Sequence, residues 1–104
     1  MARNVWVMDY NDASNMLDLF VSTNGNNDGK YNSSAFDADI ANSKVADSAA
    51  HFAALHAAEK TMMEDYACIP VAYYNDFWLQ KPELKGVWHS PYGYWYFQYA
   101  TLEK

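Results

Sequence analysis

Asp47-Ser48-Ala49-Ala50-His51-Phe52-Ala53-Ala54-Leu55-His56-Ala57-Ala58-Glu59-Lys60-Thr61-Met62-Met63-Glu64-Asp65-Tyr66 is the stretch around which the rest of the chain is organised. At about 100° per residue, Phe52, Leu55, Ala58, Met62 and Tyr66 fall within about 120° of one another, one apolar face of a helix. The alanines raise helix propensity, and Asp47 is a residue type that accepts from the free N–H groups of a first turn. The pattern predicts a long amphipathic helix over 47–66.

Upstream of it, Ser33 or Ser34 can cap a second helix running to about Asn42, with Ala35, Phe36, Asp39 and Ile40 in it. Thr23 to Ser34 is rich in Asn and Gly and reads as a loop. Met16, Leu17, Phe20 and Val21 fall at helical spacing, predicting a short helix over 15–22 with caps offered by Asn11 to Ser14. Val5-Trp6-Val7, closed by Asp9, reads as a buried strand at about 4–8. Downstream, strands are expected at about 70–75, 77–81 and 94–98. Pro70 stands at the start of the first or on an edge, because it cannot donate to a ladder. Pro91 and Gly93 mark a turn. The order β-α-α-α-β-β-β predicts an α+β fold.

Composition narrows the function. The 104 residues allow one domain at most. A net charge of −6, from 7 basic and 13 acidic side chains, disfavours a nucleic-acid partner, which needs a basic face. Apolar residues at 51% exclude a disordered chain, and no apolar run approaches the roughly 18 residues of a membrane span. No basic-then-apolar N-terminus reads as a signal peptide. Cys68 stands alone, so no internal disulfide forms, and its plainest reading is a small buried apolar residue.

The motifs for catalysis and metals are weak. Asn24-x-Asn26-x-Asp28-Gly29 begins like a calcium loop, but Ala35 stands where the bidentate acid belongs. His51 and His56 lie about 140° apart on the helix, too far to share a metal, and read as solvent-exposed. Carboxylate pairs such as Asp37 and Asp39 read as solvated faces. There is no nucleophile elbow and no phosphate-binding glycine loop. An enzyme is therefore not expected, and neither a metal nor a cofactor is. Asp9 is different. At the end of an apolar strand, between Trp6 and Tyr10, its carboxylate needs a partner. It reads either as a turn cap or as a counter-charge for a cationic ligand group such as an ammonium.

These segments occur together in a recognisable order: Val5-Trp6-Val7-Met8-Asp9-Tyr10-Asn11-Asp12, the Asn-rich loop, Asp47 with the helix through Ala58-Glu59-Lys60, Glu64-Asp65, Ile69-Pro70-Val71, Tyr73-Tyr74, Leu79-x-Lys81-Pro82 and Lys85-Gly86-Val87. The set resembles the C-terminal portion of the oligopeptide- and dipeptide-binding proteins of ABC transporters, the family 5 extracellular solute-binding proteins. The resemblance covers essentially the whole chain. It implies a fragment of a two-lobed periplasmic-binding-protein fold (type II), with residues 1–75 in the second ligand-binding lobe and 76–104 crossing back to the first. Met1-Ala2 then reads as an added start, with the rest of the protein upstream. The family match also implies the roles of four residues. Asp9 would pair with a peptide's N-terminal ammonium, Trp6 would line a side-chain pocket, and the strand with Trp6 and Val7 would hydrogen-bond the peptide backbone. Tyr74 would face the cleft near the crossover. The implied partners are a peptide and a membrane permease. The implied location is extracytoplasmic, in the periplasm or at the cell surface, where a lipid anchor is one arrangement. The chain departs from the family at Ala13, where many members have Pro, and at several alanines of the long helix.

The alternative is a stand-alone, aromatic-rich interaction module that forms a homo-oligomer. Aromatic residues make up 17% of the chain, more than a small core hides easily. Several of Trp6, Tyr73, Tyr74, Trp78, Trp95 and Tyr96 are therefore expected to be exposed.

Overall fold

In the computed structural model, which describes residues 4–45, 47–73, 75 and 77–103, the first helix, α1, runs over Ser14–Leu17 and continues as a 3-10 turn over Asp18–Phe20. Asp12 starts it by accepting from the Ser14 backbone N–H at 2.8 Å. α2 covers Ser34–Asn42, with Ser33 as N-cap accepting from Phe36 N–H. α3 covers Ser48–Glu64, with Asp47 as N-cap accepting from Ala50 N–H at 2.7 Å. Contacts gather the chain into two compact units, Met1–Pro70 and Val71–Lys104.

The core of the first unit is Leu17, Phe36, Ile40, Leu55, Ala58 and Met62. It joins α1, α2 and α3, and α2 packs chiefly on α3. Burying each of the larger side chains contributes about 1.5–3 kcal/mol. The α3 face is narrower than its periodicity suggests: Leu55, Ala58 and Met62 are buried, while Phe52 and Tyr66 are exposed. The reason for Tyr66 is local. The helix ends at Glu64, and Tyr66 takes a left-handed φ of 53° just beyond it. Ala67 N–H then donates back to the Met62 carbonyl at 3.0 Å, closing the helix end. Cys68 packs half-buried against the core, and burial pushes its thiol pKa up.

Side-chain hydrogen bonds organise the Asn-rich loop. Asn27 is buried and donates to the Tyr31 carbonyl at 2.7 Å while accepting from Tyr31 N–H at 3.0 Å. Asn24 donates to the Asp18 carbonyl and accepts from Asn26 N–H. Among the described residues no cluster of three or more His, Cys, Asp or Glu could hold a metal, and no helix is long and apolar enough to cross a membrane.

The second unit is built from two-residue strands: β1 (Leu84–Lys85), β2 (Trp88–His89), β3 (Trp95–Tyr96) and β4 (Thr101–Leu102). β1 pairs antiparallel with β4, Leu84 opposite Leu102; β2 pairs antiparallel with β3, Trp88 opposite Tyr96. The pairs are nested around a turn that buried Ser90 organises. Its N–H donates to the Tyr94 carbonyl at 2.8 Å, its carbonyl accepts from Gly93 N–H, and Gly93 takes φ 83°. Rings stack along this ribbon: Trp78 on Trp95 at 3.6 Å, and His89 on Trp95 at 3.9 Å.

The α+β class holds, and the strand expected at 94–98 is present as Trp95–Tyr96. Three expected strands are corrected. Residues 4–8, 70–75 and 77–81 contain no ladder among the described residues. Residues 4–7 are exposed rather than buried on both faces, and Val71, Tyr73, Phe77 and Leu79 are almost fully exposed. Strand-forming side chains register a fit to a pleated, half-buried surface. Among the described residues no second edge lies beside these segments, and they form no ladder.

Candidate functional site

The candidate residues Trp6, Val7 and Asp9 lie on the irregular segment that leads into α1. Val7 and Asp9 are exposed and Trp6 is 37% exposed. One buried side chain organises them. Asn15, in α1 and 7% exposed, accepts at Oδ1 from the Trp6 indole Nε1–H at 3.1 Å and from the Asp9 backbone N–H at 3.3 Å. The Asp9 carboxylate itself has no hydrogen bond or ion pair among the described residues. It is not the buried charge that an apolar strand end would have made it. It is exposed, beside backbone that no ladder occupies among the described residues. Tyr10 O–H meets Ser14 Oγ at 3.3 Å. Tyr74, the fourth candidate, lies outside the described residues.

Behind this segment sits a second polar arrangement. His51 of α3 contacts the Ser43 carbonyl through Nδ1 at 2.6 Å and Asp12 Oδ2 through Nε2 at 2.9 Å. Both partners are acceptors, and a neutral imidazole donates from one nitrogen only, so the imidazolium alone makes both bonds. Accordingly the Ser43 carbonyl, then Asp12, holds the His51 pKa above its ordinary value. Hydrogen bonds from Ser14, side chain and backbone, and then from His51, draw Asp12 down to about 2. The expectation of solvent-exposed histidines is corrected for His51, which is half-buried as a clasp between the start of α1, the end of α2 and α3; His56 is exposed.

No protein-family model matches the chain. Individual proteins do. It is 38% identical over 87 residues, 83% of its length, to the periplasmic oligopeptide-binding protein OppA of Salmonella typhimurium. It is 38% identical over 85 residues to the periplasmic murein peptide-binding protein MppA of Escherichia coli. It is 32% identical over 105 aligned positions, 99% of its length, to the oligopeptide-binding protein OppA of Bacillus subtilis. The chain is similar to a segment of the peptide-binding proteins. It spans only 16% to 19% of the length of these relatives.

Asn15 and His51 are the residues whose contacts sequence reasoning passed over. For Asn15 the signal was faint: a carboxamide placed immediately beside apolar Met16 and Leu17, just after a segment whose N–H groups need acceptors. His51 meets Asp12 across 39 positions of sequence, a distance that periodicity does not register.

Proposed function

We propose that this chain is the C-terminal part of an extracytoplasmic peptide-binding protein that supplies an ABC permease, and that it binds rather than transforms its ligand. The observation that carries the reading is the similarity, over four fifths or more of the chain, to proteins named for oligopeptide and murein-peptide binding. In this reading the whole protein has the two-lobed type II fold, with residues 1–75 in the second lobe and 76–104 crossing back to the first. Asp9 pairs with the peptide's N-terminal ammonium. Trp6 walls a side-chain pocket, and the backbone around Val7 takes the extended peptide as an added strand, which recognises main chain and tolerates varied side chains. Tyr74 faces the cleft near the crossover. The exposed Asp9 carboxylate and the unpaired backbone of residues 4–8 support these roles, because both are accessible to a ligand.

The test replaces the matching segment of the Salmonella relative with this chain and titrates the chimera calorimetrically with trialanine and N-acetyl-trialanine. Asp9→Asn should weaken trialanine binding by about 3 kcal/mol or more, over a hundredfold, because it leaves an ammonium enclosed without its counter-charge. The acetylated peptide should bind poorly to the parent and be little affected by the substitution. An unchanged dissociation constant for trialanine in Asp9→Asn removes the anchor role.

A further inference from the structure

We propose that Asn15 is the positioning residue of the candidate peptide site, clamping the Trp6 indole and the Asp9 backbone to one buried oxygen so that pocket wall and ammonium anchor keep a fixed separation. This rests on the peptide-binding reading above and adds to it a residue on which no ligand contact is placed. Both groups facing the Asn15 side chain are donors, the indole Nε1–H at 3.1 Å and the Asp9 N–H at 3.3 Å, so its oxygen faces them. A carboxamide oxygen has two lone pairs and serves both at once.

The oxygen is itself held firmly. Asn15 lies between Ser14, whose N–H is capped by Asp12, and Leu17, which is part of the core. Through Asp12 that cap is joined to His51 on α3. The segment it restrains has little other support: residues 4–8 have no ladder among the described residues, and Asn4 donates to Asp28 Oδ2 at an exposed 3.3 Å. Asn15 thus transfers the order of the helical core to a stretch that is otherwise irregular and exposed. The Trp6 indole N–H lies at a partly exposed site, so water can replace the acceptor when Asn15 is removed. The loss then falls on the preorganisation of the ligand site more than on the fold.

The experiment has two arms. The first needs no peptide. In the 15N-labelled 104-residue chain, the Trp6 indole N–H resonance is assigned with Trp6→Phe. Asn15→Leu, similar in volume and without an acceptor, should shift that resonance and speed its hydrogen exchange while the other three indole signals stay in place. Asn15→Asp, which keeps an acceptor, should restore it. An unmoved Trp6 signal in Asn15→Leu overturns the clamp. So does a joint shift of all four indoles, which would mean that Asn15 only supports the fold.

The second arm measures trialanine affinity in the chimera. Asn15→Leu should weaken binding about tenfold, as expected for lost preorganisation, and by less than that in a Trp6→Phe background, where half of the clamp is already gone. Equal losses in both backgrounds overturn the positioning role. A parent chimera that binds no peptide overturns the functional reading and the ligand half of this proposal, while the indole signals still decide whether the clamp exists.

Discussion

Up to Pro70 the chain is held by helices around a shared apolar core; from Val71 onward it is held by backbone turns and ring-on-ring contacts. Every buried apolar residue among those described, from Leu17 to Met62, belongs to the first unit. Among the described residues the buried one of the second is a serine that ties a turn, and most of the chain's aromatic residues are in this unit, many of them exposed. The difference shows that aromatic content and burial are separate quantities. A ring can be ordered by stacking on its neighbour, worth about 0.5–1.5 kcal/mol per pair beyond area, without being removed from water. It also accounts for the aromatic surplus: Tyr73, Trp78 and Tyr96 are exposed as expected, and Trp6 is partly so.

The contrast predicts unequal responses to the same chemical change. Phe36 is 0% exposed and meets Tyr31 edge-on at 5.5 Å; Phe77 is 95% exposed. Phe36→Ala should cost about 3–5 kcal/mol, enough to unfold the helices in so small a chain. Phe77→Ala should stay within about 0.5 kcal/mol. Urea unfolding followed by helical circular dichroism measures both, and comparable losses would abolish the distinction between the units.

The second unit should be sensitive where its backbone, not its side chains, is tight. Gly86 has φ 70°, and a Cβ there would overlap the Tyr99 carbonyl oxygen, where outgoing and returning strands pass. Gly86→Ala should cost about 1–2 kcal/mol from the left-handed backbone alone, with the overlap added. The near-UV signal of the stacked tryptophans should weaken while the helical signal persists. Loss of both together would show that the ribbon and the helices unfold as one.

The smallest effect concerns pH and belongs to the first unit. The raised pKa of His51 means that its clasp contributes fully below the ordinary histidine value of 6.5 and is lost as pH rises through the raised one. The Asp12 pKa, drawn from 3.8 to about 2, contributes above 3.8 and is lost as pH falls toward 2. Helix stability should therefore have a component that is greatest from about pH 4 to 6.5 and declines on both sides. His51→Ala should abolish the decline above pH 6.5 and leave most of the acid-side decline, because Ser14 rather than His51 is the main cause of the low Asp12 pKa; denaturant midpoints across pH will show this. An unaltered profile in His51→Ala would mean that the clasp does not contribute.

Legibility followed the range of the interaction. The Ser33 and Asp47 caps, the α2 and α3 spans and the Pro91–Gly93 turn were readable because each is made within a few residues. Asp9 was readable as a candidate from its place after an apolar run, and Trp6 and Val7 only through the order of neighbouring motifs. That Asp9 is exposed, and held by its backbone rather than its carboxylate, was not. Asn15 serves donors six and nine positions away. No period connects it to them.

Helix starts and tight turns were determined by the sequence itself, because caps and turn residues act on adjacent backbone; the end of α3, with Tyr66 at a left-handed φ, was not. Which extended segments become strands was decided only in three dimensions. A ladder requires a second edge at hydrogen-bonding distance, and Val5-Trp6-Val7 has the composition of a strand without that edge. The tertiary structure also decided that His51 would meet Asp12 and Asn15 would meet Trp6, since both contacts depend on how α1, α3 and the leading segment pack, not on any residue's neighbours in the chain.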